Sequence, residues 1–211
     1  MRNRRKYGVF RKKHYVRILN WVVNYTLRCF GYTKRPRLIE TRLGKGDMMM
    51  FEHTFDGEYS ILYDYVQFQN IFGRESYDVQ EAYAMSMAAH EMRHYYQHRQ
   101  MSAKNPVENE ETIAAWWENE CNLKYYGENG CTLFEFYTQP LELDAELYAY
   151  VFVERVLNAV ISLLFVDENY IDLLEKRYIE IFGETDTDLF GERVKKEIAE
   201  LAKQKRSTRV A

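Results

Sequence analysis

The sequence is poor in the residues that interrupt helices. Its 211 residues include three prolines and ten glycines, which argues against an all-β or loop-rich fold because such folds need many turns. Low-complexity segments and internal repeats are also lacking. With 46% apolar and 29% charged residues, the chain has the composition of a globular protein and the length of one domain.

Cysteine is also scarce. Cys29, Cys121 and Cys131 are widely spaced, and none of them belongs to a Cys-x-x-Cys pair. This pattern indicates buried thiols in a reducing compartment, so we expect a cytoplasmic protein. A bridge between Cys121 and Cys131 is the alternative.

Long uninterrupted apolar runs are missing too. The segment Val16–Tyr32 follows a basic start, but two arginines and two asparagines interrupt it, so it does not read as a signal peptide. Leu147–Val166 is about long enough to span a bilayer, yet Glu154 and Arg155 lie near its middle. We therefore predict a buried core helix there and no transmembrane segment.

Acidic residues are absent from the first part of the chain. The basic residues that precede Glu40 are Arg2, Arg4, Arg5, Lys6, Arg11, Lys12, Lys13, Arg17, Arg28, Lys34, Arg35 and Arg37. Basic arms can contact nucleic acid or an anionic membrane surface. We expect at most a weak contact of this kind through an arm of residues 1–13, and a solvated end is the simpler alternative. Residues 1–38 would form this arm and a helix, and 39–211 the main domain.

Hydrophobic periodicity predicts a mostly helical α+β domain with a small antiparallel sheet beside a central helix. The predicted strands are Arg37–Leu43, Met48–Phe55 and Tyr59–Phe68, with a hairpin turn at Asp56-Gly57. Asp78 and Glu81 resemble a capping box at the start of the central helix, and Thr138 is expected to cap a later one. The predicted helices are His14–Phe30, Asp78–Met101, Asn109–Lys124, Pro140–Phe165, Tyr170–Phe182 and Asp188–Gln204.

The central helix contains His90-Glu91-Met92-Arg93-His94, a His-Glu-x-x-His motif. On a helix, His90 and His94 differ by about 40° in direction and about 6 Å along the axis, so both rings can reach one ion. Glu91 lies about 100° further round than His90, where it can act as a general base on a water held by that ion. Two nitrogen ligands and an adjacent carboxylate are what a zinc hydrolase needs.

A third ligand must then come from another part of the chain. Glu142, in a second predicted helix, would complete a His₂Glu site with an open position for water. Glu110, Glu111 and Glu118 are the alternatives, since they follow the motif at shorter spacing.

Three nearby residues receive other roles. Glu146, one turn beyond Glu142, would accept the remaining N–H of a ligating histidine. His98 continues the series His90, His94, but it lies about 12 Å along the axis from His90, so we expect it at the surface or behind the ligands. Asp144 points about 160° away from Glu142 and is expected to be solvated or to cap a helix.

Tyr137 and Tyr148 are two of several candidates for stabilising an oxyanion.

The segment Glu142-Leu143-Asp144-Ala145-Glu146-Leu147-Tyr148-Ala149 resembles the Glu-x-Glu-Ala-Asp-x-x-Ala segment that follows HExxH in gluzincin peptidases of the prenyl-protein and heat-shock type. In that family the first Glu is the third zinc ligand, which implies this role for Glu142; Glu146 stands where the family has Asp. The pattern His90-Glu91-x-Arg93-His94-x-x-Gln97, followed by Glu142-x-Asp144-Ala145, is also similar to small soluble metallopeptidase-type proteins of bacterial phages and mobile elements. The resemblance covers about residues 78–150 and implies a zincin-like domain.

The sequence thus predicts a zinc metallopeptidase that acts on a peptide or protein substrate. Zn²⁺ would be bound by His90, His94 and Glu142, with Glu91 as the general base. The sheet beside the helix would offer an edge strand to an extended peptide, or would only pack on the helices. The alternative function is a catalytically inactive zincin-fold protein with a regulatory or nucleic-acid-associated role.

Overall fold

A computed structural model of the chain describes residues 10–44, 47–54, 56–157 and 168–182. It is mostly helical with a small sheet, as predicted for the α+β class. The elements are α1 (Lys12–Phe30), β1 (Arg37–Glu40), β2 (Met49–His53), β3 (Tyr59–Tyr63), α2 (Tyr65–Phe72), α3 (Tyr77–Met101), α4 (Glu110–Cys121), a 3-10 helix (Glu128–Gly130), α5 (Leu133–Tyr137), α6 (Pro140–Leu157) and α7 (Glu168–Phe182).

The described residues fall into two compact units. The first unit comprises the described residues of Met1–Trp116 and Tyr148–Ile161. The second comprises the described residues of Trp117–Leu147 and Ser162–Ala211. In the first unit α1 packs against α3, so the predicted segment 1–38 shares a core with part of the predicted segment 39–211. The boundary between those two segments stays a prediction.

The sheet is mixed and not wholly antiparallel. Its order is β1-β3-β2; β2 runs antiparallel to β3 through the predicted hairpin, with Phe51 opposite Ile61, whereas β1 runs parallel to β3, with Leu38 opposite Ile61. The parallel pair was not predicted, because strands that are neighbours in sequence were expected to pair in space. β3 is the most apolar strand and takes the centre, where both of its edges are hydrogen-bonded; the charged residues lie on the outer strands, as is common at sheet edges.

The third strand ends earlier than predicted. Asp64 accepts a hydrogen bond from the backbone N–H of Gln67 at 2.9 Å and so caps α2. The apolar residues that follow belong to this helix and not to an extension of the strand to Phe68, because an N-cap carboxylate stabilises the first turn of a helix.

Helix α1 uses one face for the core. Tyr15, Ile18, Leu19 and Val22 are buried, and Gly31 ends the helix in the left-handed conformation, with φ of 70°. Tyr25 and Cys29 lie outside this buried face and are exposed.

The N-cap of α3 lies two residues before the predicted one. Ser76, not Asp78, is the N-cap, since its side chain accepts a hydrogen bond from the N–H of Val79 at 3.3 Å. Asp78 therefore lies in the first turn, where a carboxylate interacts favourably with the helix dipole, and the predicted capping box is wrong. The helix ends at Met101, as predicted.

The remaining expectations have mixed outcomes. Cys29, Cys121 and Cys131 are free thiols, and only Cys131 is buried, so the alternative bridge is not formed and the burial of the other two thiols was wrongly predicted.

Across the described residues, none of the helices combines the length and apolarity needed to cross a bilayer. The basic arm up to residue 9, the predicted continuation of α6 beyond residue 157 and the predicted helix Asp188–Gln204 lie outside the described residues.

Candidate metal centre

The two histidines of the motif lie side by side on α3. Their rings meet edge to face, with centroids 4.7 Å apart, and the Nε2 atom of His94 lies 3.0 Å from the Nε2 atom of His90. A four-residue spacing on a helix produces this proximity. The two Nε2 atoms therefore converge on one point.

Gln97 fixes the orientation of the second histidine. The Nδ1 atom of His94 lies 2.8 Å from Oε1 of Gln97, and the Gln97 side chain is fully buried one helical turn further on. An amide oxygen can only accept a hydrogen bond, so this contact requires the tautomer of His94 in which Nδ1 carries the proton. The lone pair of His94 is then on Nε2, the atom that faces His90, and is available to a metal ion.

Glu142 is the residue that joins the two histidines. One ligand atom from each of His90, His94 and Glu142 lies within 4.8 Å of the other two, and the three form a group that could hold a metal ion. Glu142 is in the first turn of α6 and is buried. The alternatives Glu110, Glu111 and Glu118 lie on α4, are exposed, and are not members of this group.

Two side chains that the sequence analysis missed hold the start of α6. Oδ1 of Asn119 accepts a hydrogen bond from the N–H of Leu141 at 2.9 Å, and its Nδ2 donates to Oε1 of Gln139 at 3.1 Å. The Gln139 side chain also bonds the backbone N–H and C=O of Lys124, both at 2.8 Å. The first N–H groups of a helix have no partner inside the helix. Here Asn119 on α4 accepts the hydrogen bond of one of them, the N–H of Leu141, directly before Glu142.

Thr138 does not cap α6, contrary to the prediction. Its hydroxyl donates to the C=O of Phe134 at 2.8 Å, at the end of α5. The threonine that caps a helix is Thr132, which forms a capping box with Glu135 at the start of α5. The sequence carries this signal, a threonine with a glutamate three positions later.

Glu91 is buried on α3 next to His90. Its carboxylate is close enough to Tyr15 to contribute to the raised pKa of that phenol, which is caused mainly by burial and further by Tyr63 and Asp64. The hydroxyl of Tyr15 is buried and has no hydrogen-bond partner among the described residues. Tyr15 was predicted only as a core residue, and its position near Glu91 has no signal in the sequence.

Glu146 lies one turn beyond Glu142 and is equally buried. Both carboxylates act on two tyrosines of the same unit: the pKa values of Tyr137 and Tyr170 are raised, mainly by burial and further by Glu146 and Glu142. The Nδ1 atom of His94 is hydrogen-bonded to Gln97, whereas a hydrogen bond from a ligating histidine to Glu146 stays a prediction.

The two named oxyanion candidates are placed differently. Tyr137 lies in the field of Glu142 and Glu146, as described. Tyr148 instead contacts α1 and α3, where its ring packs against Phe30, its hydroxyl interacts with Thr26, and Arg93 lies 5.5 Å from the ring centroid. Of these two residues, Tyr137 is the better candidate.

Asp144 is not a solvated carboxylate. Its side chain is 1% exposed and forms an ion pair with Arg177 on α7, whose Nε and Nη2 donate to Oδ1 at 3.1 and 2.9 Å. The expectation of a solvated or capping role was therefore wrong. The direction of Asp144 away from Glu142, which was predicted, places it against α7.

His98 contacts residues of the sheet and does not belong to the group formed by His90, His94 and Glu142. Its ring packs on His53 of β2, with centroids 3.9 Å apart, and also contacts Phe51 and Tyr59. It is not a member of the group formed by His90, His94 and Glu142, in agreement with the expectation from helix geometry.

The three residues fit a zinc ion by their chemistry and spacing. Two nitrogen ligands on one tetrahedral zinc lie about 3.3 Å apart, given Zn–N bonds of about 2.0–2.1 Å; the two Nε2 atoms are separated by 3.0 Å. A cation is a favourable neighbour for a buried carboxylate such as Glu142. Comparisons of this chain with known protein families, with curated proteins and with solved structures find no match.

Proposed function

We propose that this chain is a zinc-dependent metallopeptidase. The observation that carries the proposal is the convergence of His90, His94 and Glu142, with ligand atoms within 4.8 Å of one another. Two imidazoles and one carboxylate are the donor set of catalytic zinc sites, which keep a position open, whereas structural sites are closed by four protein ligands.

Glu91 is assigned as the general base. A zinc ion, when bound, supplies a Lewis acid that polarises the scissile carbonyl. The carboxylate of Glu91, adjacent to His90, takes a proton from the attacking water and transfers it to the leaving amine. Tyr137 is the candidate for stabilising the negative charge that develops on the carbonyl oxygen.

Two features support a peptide as the substrate. The segment Glu142–Ala149 resembles in sequence the segment that follows HExxH in gluzincin peptidases. In addition, β2, which packs on α3, is an outer strand that pairs with β3 alone among the described residues. An outer strand has backbone groups to which an extended peptide can hydrogen-bond.

Metal content is the first test. Purified wild type is expected to contain about one zinc per chain by mass spectrometry, and both His94→Ala and Glu142→Ala are expected to lose it. Glu118→Ala, which removes an exposed carboxylate from α4, is the matched control and should retain the metal. Zinc retained in Glu142→Ala but lost in Glu118→Ala would overturn the assigned ligand set.

Activity is tested with the same preparations. Zinc-loaded wild type is incubated with a library of unstructured peptides, and cleavage is followed by mass spectrometry. Glu91→Gln should bind zinc as the wild type does and show no cleavage, because an amide cannot accept the proton. If Glu91→Gln cleaves as fast as wild type, or if zinc-loaded wild type cleaves nothing, the peptidase assignment is wrong even where the metal site is right.

A further inference from the structure

A stripe of exposed residues follows the outer side of α1. We call Lys13, Arg17, Trp21, Tyr25 and Arg28 the α1 stripe; all five are exposed. At about 100° per residue they fall within an arc of about 120°, and they extend over about 22 Å of helix axis. The stripe is therefore a continuous surface feature of the helix.

The aromatic part of the stripe is an ordered pair. The rings of Trp21 and Tyr25 are stacked, with centroids 5.2 Å apart, and the ring of Phe152 on α6 supports both from beneath in edge-to-face contacts. Trp21 is 39% exposed. An exposed tryptophan held in a fixed orientation presents a rigid aromatic surface at little entropic cost.

The cations of the stripe have no acidic partner among the described residues. Within the described part of the chain, Lys13, Arg17 and Arg28 form no ion pair, whereas the neighbouring Lys12 pairs with Glu40. In the sequence, further basic residues and no acidic residue precede α1. Uncompensated positive charge beside aromatic rings is complementary to a ligand that carries both phosphates and flat bases.

We propose that the α1 stripe binds single-stranded nucleic acid, with Trp21 and Tyr25 stacking on bases and the three cations contacting phosphates. Base faces are accessible to aromatic side chains in single strands and not within a duplex. A membrane surface fits less well. Membrane-surface helices insert their apolar face into the lipid, but the apolar face of α1, including Leu19, Val22 and Val23, is buried in the protein core.

The test measures binding of a fluorescently labelled oligothymidylate of about 12 nucleotides to the full-length chain by anisotropy. Trp21→Ala should weaken binding about tenfold. Arg17→Ala/Arg28→Ala should reduce the slope of log affinity against log salt by about 1.4, since each phosphate contact on a single strand contributes about 0.7. The matched control is Arg74→Ala/Lys104→Ala, which removes two exposed cations elsewhere and should leave affinity within about twofold and the slope unchanged.

Several outcomes would overturn the proposal: no binding by wild type, equal losses in the two double variants, an unchanged affinity in Trp21→Ala, or binding to phosphatidylserine vesicles that the oligonucleotide does not compete. A duplex bound as tightly as the single strand would also count against it. Should Trp21→Ala fail to fold, Trp21→Leu keeps an apolar contact with Phe152 but has no ring, and the same loss is expected. His94→Ala should bind the oligonucleotide as wild type does, so the result is independent of the proposed metal site.

Discussion

Asn119 on α4 accepts a hydrogen bond from the backbone N–H of Leu141 at 2.9 Å, and Leu141 is the residue before Glu142. The Asn119 side chain is buried, so water does not replace it readily. It thereby satisfies a backbone group in the first turn of α6 and fixes the segment from which the candidate metal ligand projects.

We predict that Asn119→Ala lowers both stability and zinc affinity. The variant removes the hydrogen bond that Asn119 accepts from the N–H of Leu141, which costs about 1–2 kcal/mol and lowers the melting temperature by several degrees, at roughly 2–4 °C per kcal/mol for a chain of this size. Loosening the first turn would also weaken zinc binding, measured by competition with a chelator. Asn122→Ala, which removes an exposed side chain that bonds to the C=O of Glu118, is the control and should change neither quantity appreciably. Equal effects in the two variants would refute the role of Asn119.

A second prediction concerns Gln97. Replacing it with leucine removes the acceptor for Nδ1 of His94, so the ring is no longer held in the tautomer with its lone pair on Nε2. Loss of such a hydrogen bond typically costs about 10–100-fold in metal affinity. Gln97→Glu keeps an oxygen acceptor at this position and should lose much less zinc affinity than Gln97→Leu. Zinc affinity is measured by chelator competition, with circular dichroism to verify folding; an unchanged affinity in Gln97→Leu would contradict the assignment.

The sequence was most informative where a fixed helical spacing determines geometry. His90 and His94 had to lie together once their segment was helical, and the same helix geometry excluded His98. Glu142 could be preferred to Glu110 and Glu111 only by indirect arguments, the resemblance among them, because no local rule relates residues about 50 positions apart. The structure adds that Glu142 is buried, while Glu110 is exposed.

What the sequence could not predict depends on contacts between distant segments. Asn119 and Gln139 have no local pattern that indicates their role at the start of α6. β1 pairs in parallel with β3 because strand order is set by burial across the whole sheet. The order of the strands in the sequence had suggested a wholly antiparallel sheet. Asp144 illustrates the same limit, since its partner Arg177 is 33 positions away.

A third prediction follows from that ion pair. Asp144 is almost fully buried, so Arg177→Ala leaves a buried carboxylate without its guanidinium and should cost about 3–5 kcal/mol in the free energy of unfolding. Glu180→Ala removes the other, half-exposed partner of Arg177 and should cost less than about 1 kcal/mol. Urea unfolding measures both. If the two variants are equally stable, the buried pair does not contribute as described.

The last prediction is a dependence of stability on pH that arises from Asp64. Burial of this carboxyl works to raise its pKa, but the backbone N–H groups of Gln67 and Leu43 and the guanidinium of Arg42 outweigh that effect, so the pKa lies below its ordinary value. A carboxyl whose pKa is lower in the folded than in the unfolded state stabilises the fold above the unfolded pKa, about 3.9. This contribution is lost as the pH falls through the folded pKa.

Asp64→Asn tests this directly, because asparagine keeps an acceptor for the N–H of Gln67 and does not titrate. The variant should be less stable than wild type at neutral pH, and the difference in melting temperature should shrink as the pH falls below about 4. Asp64→Ser, which also caps helices without a charge, should show the same narrowing. A difference that stays constant from neutral pH down to about pH 2 would mean that the charge on Asp64 does not stabilise the fold, because a non-titrating cause such as lost packing has no reason to change over that range.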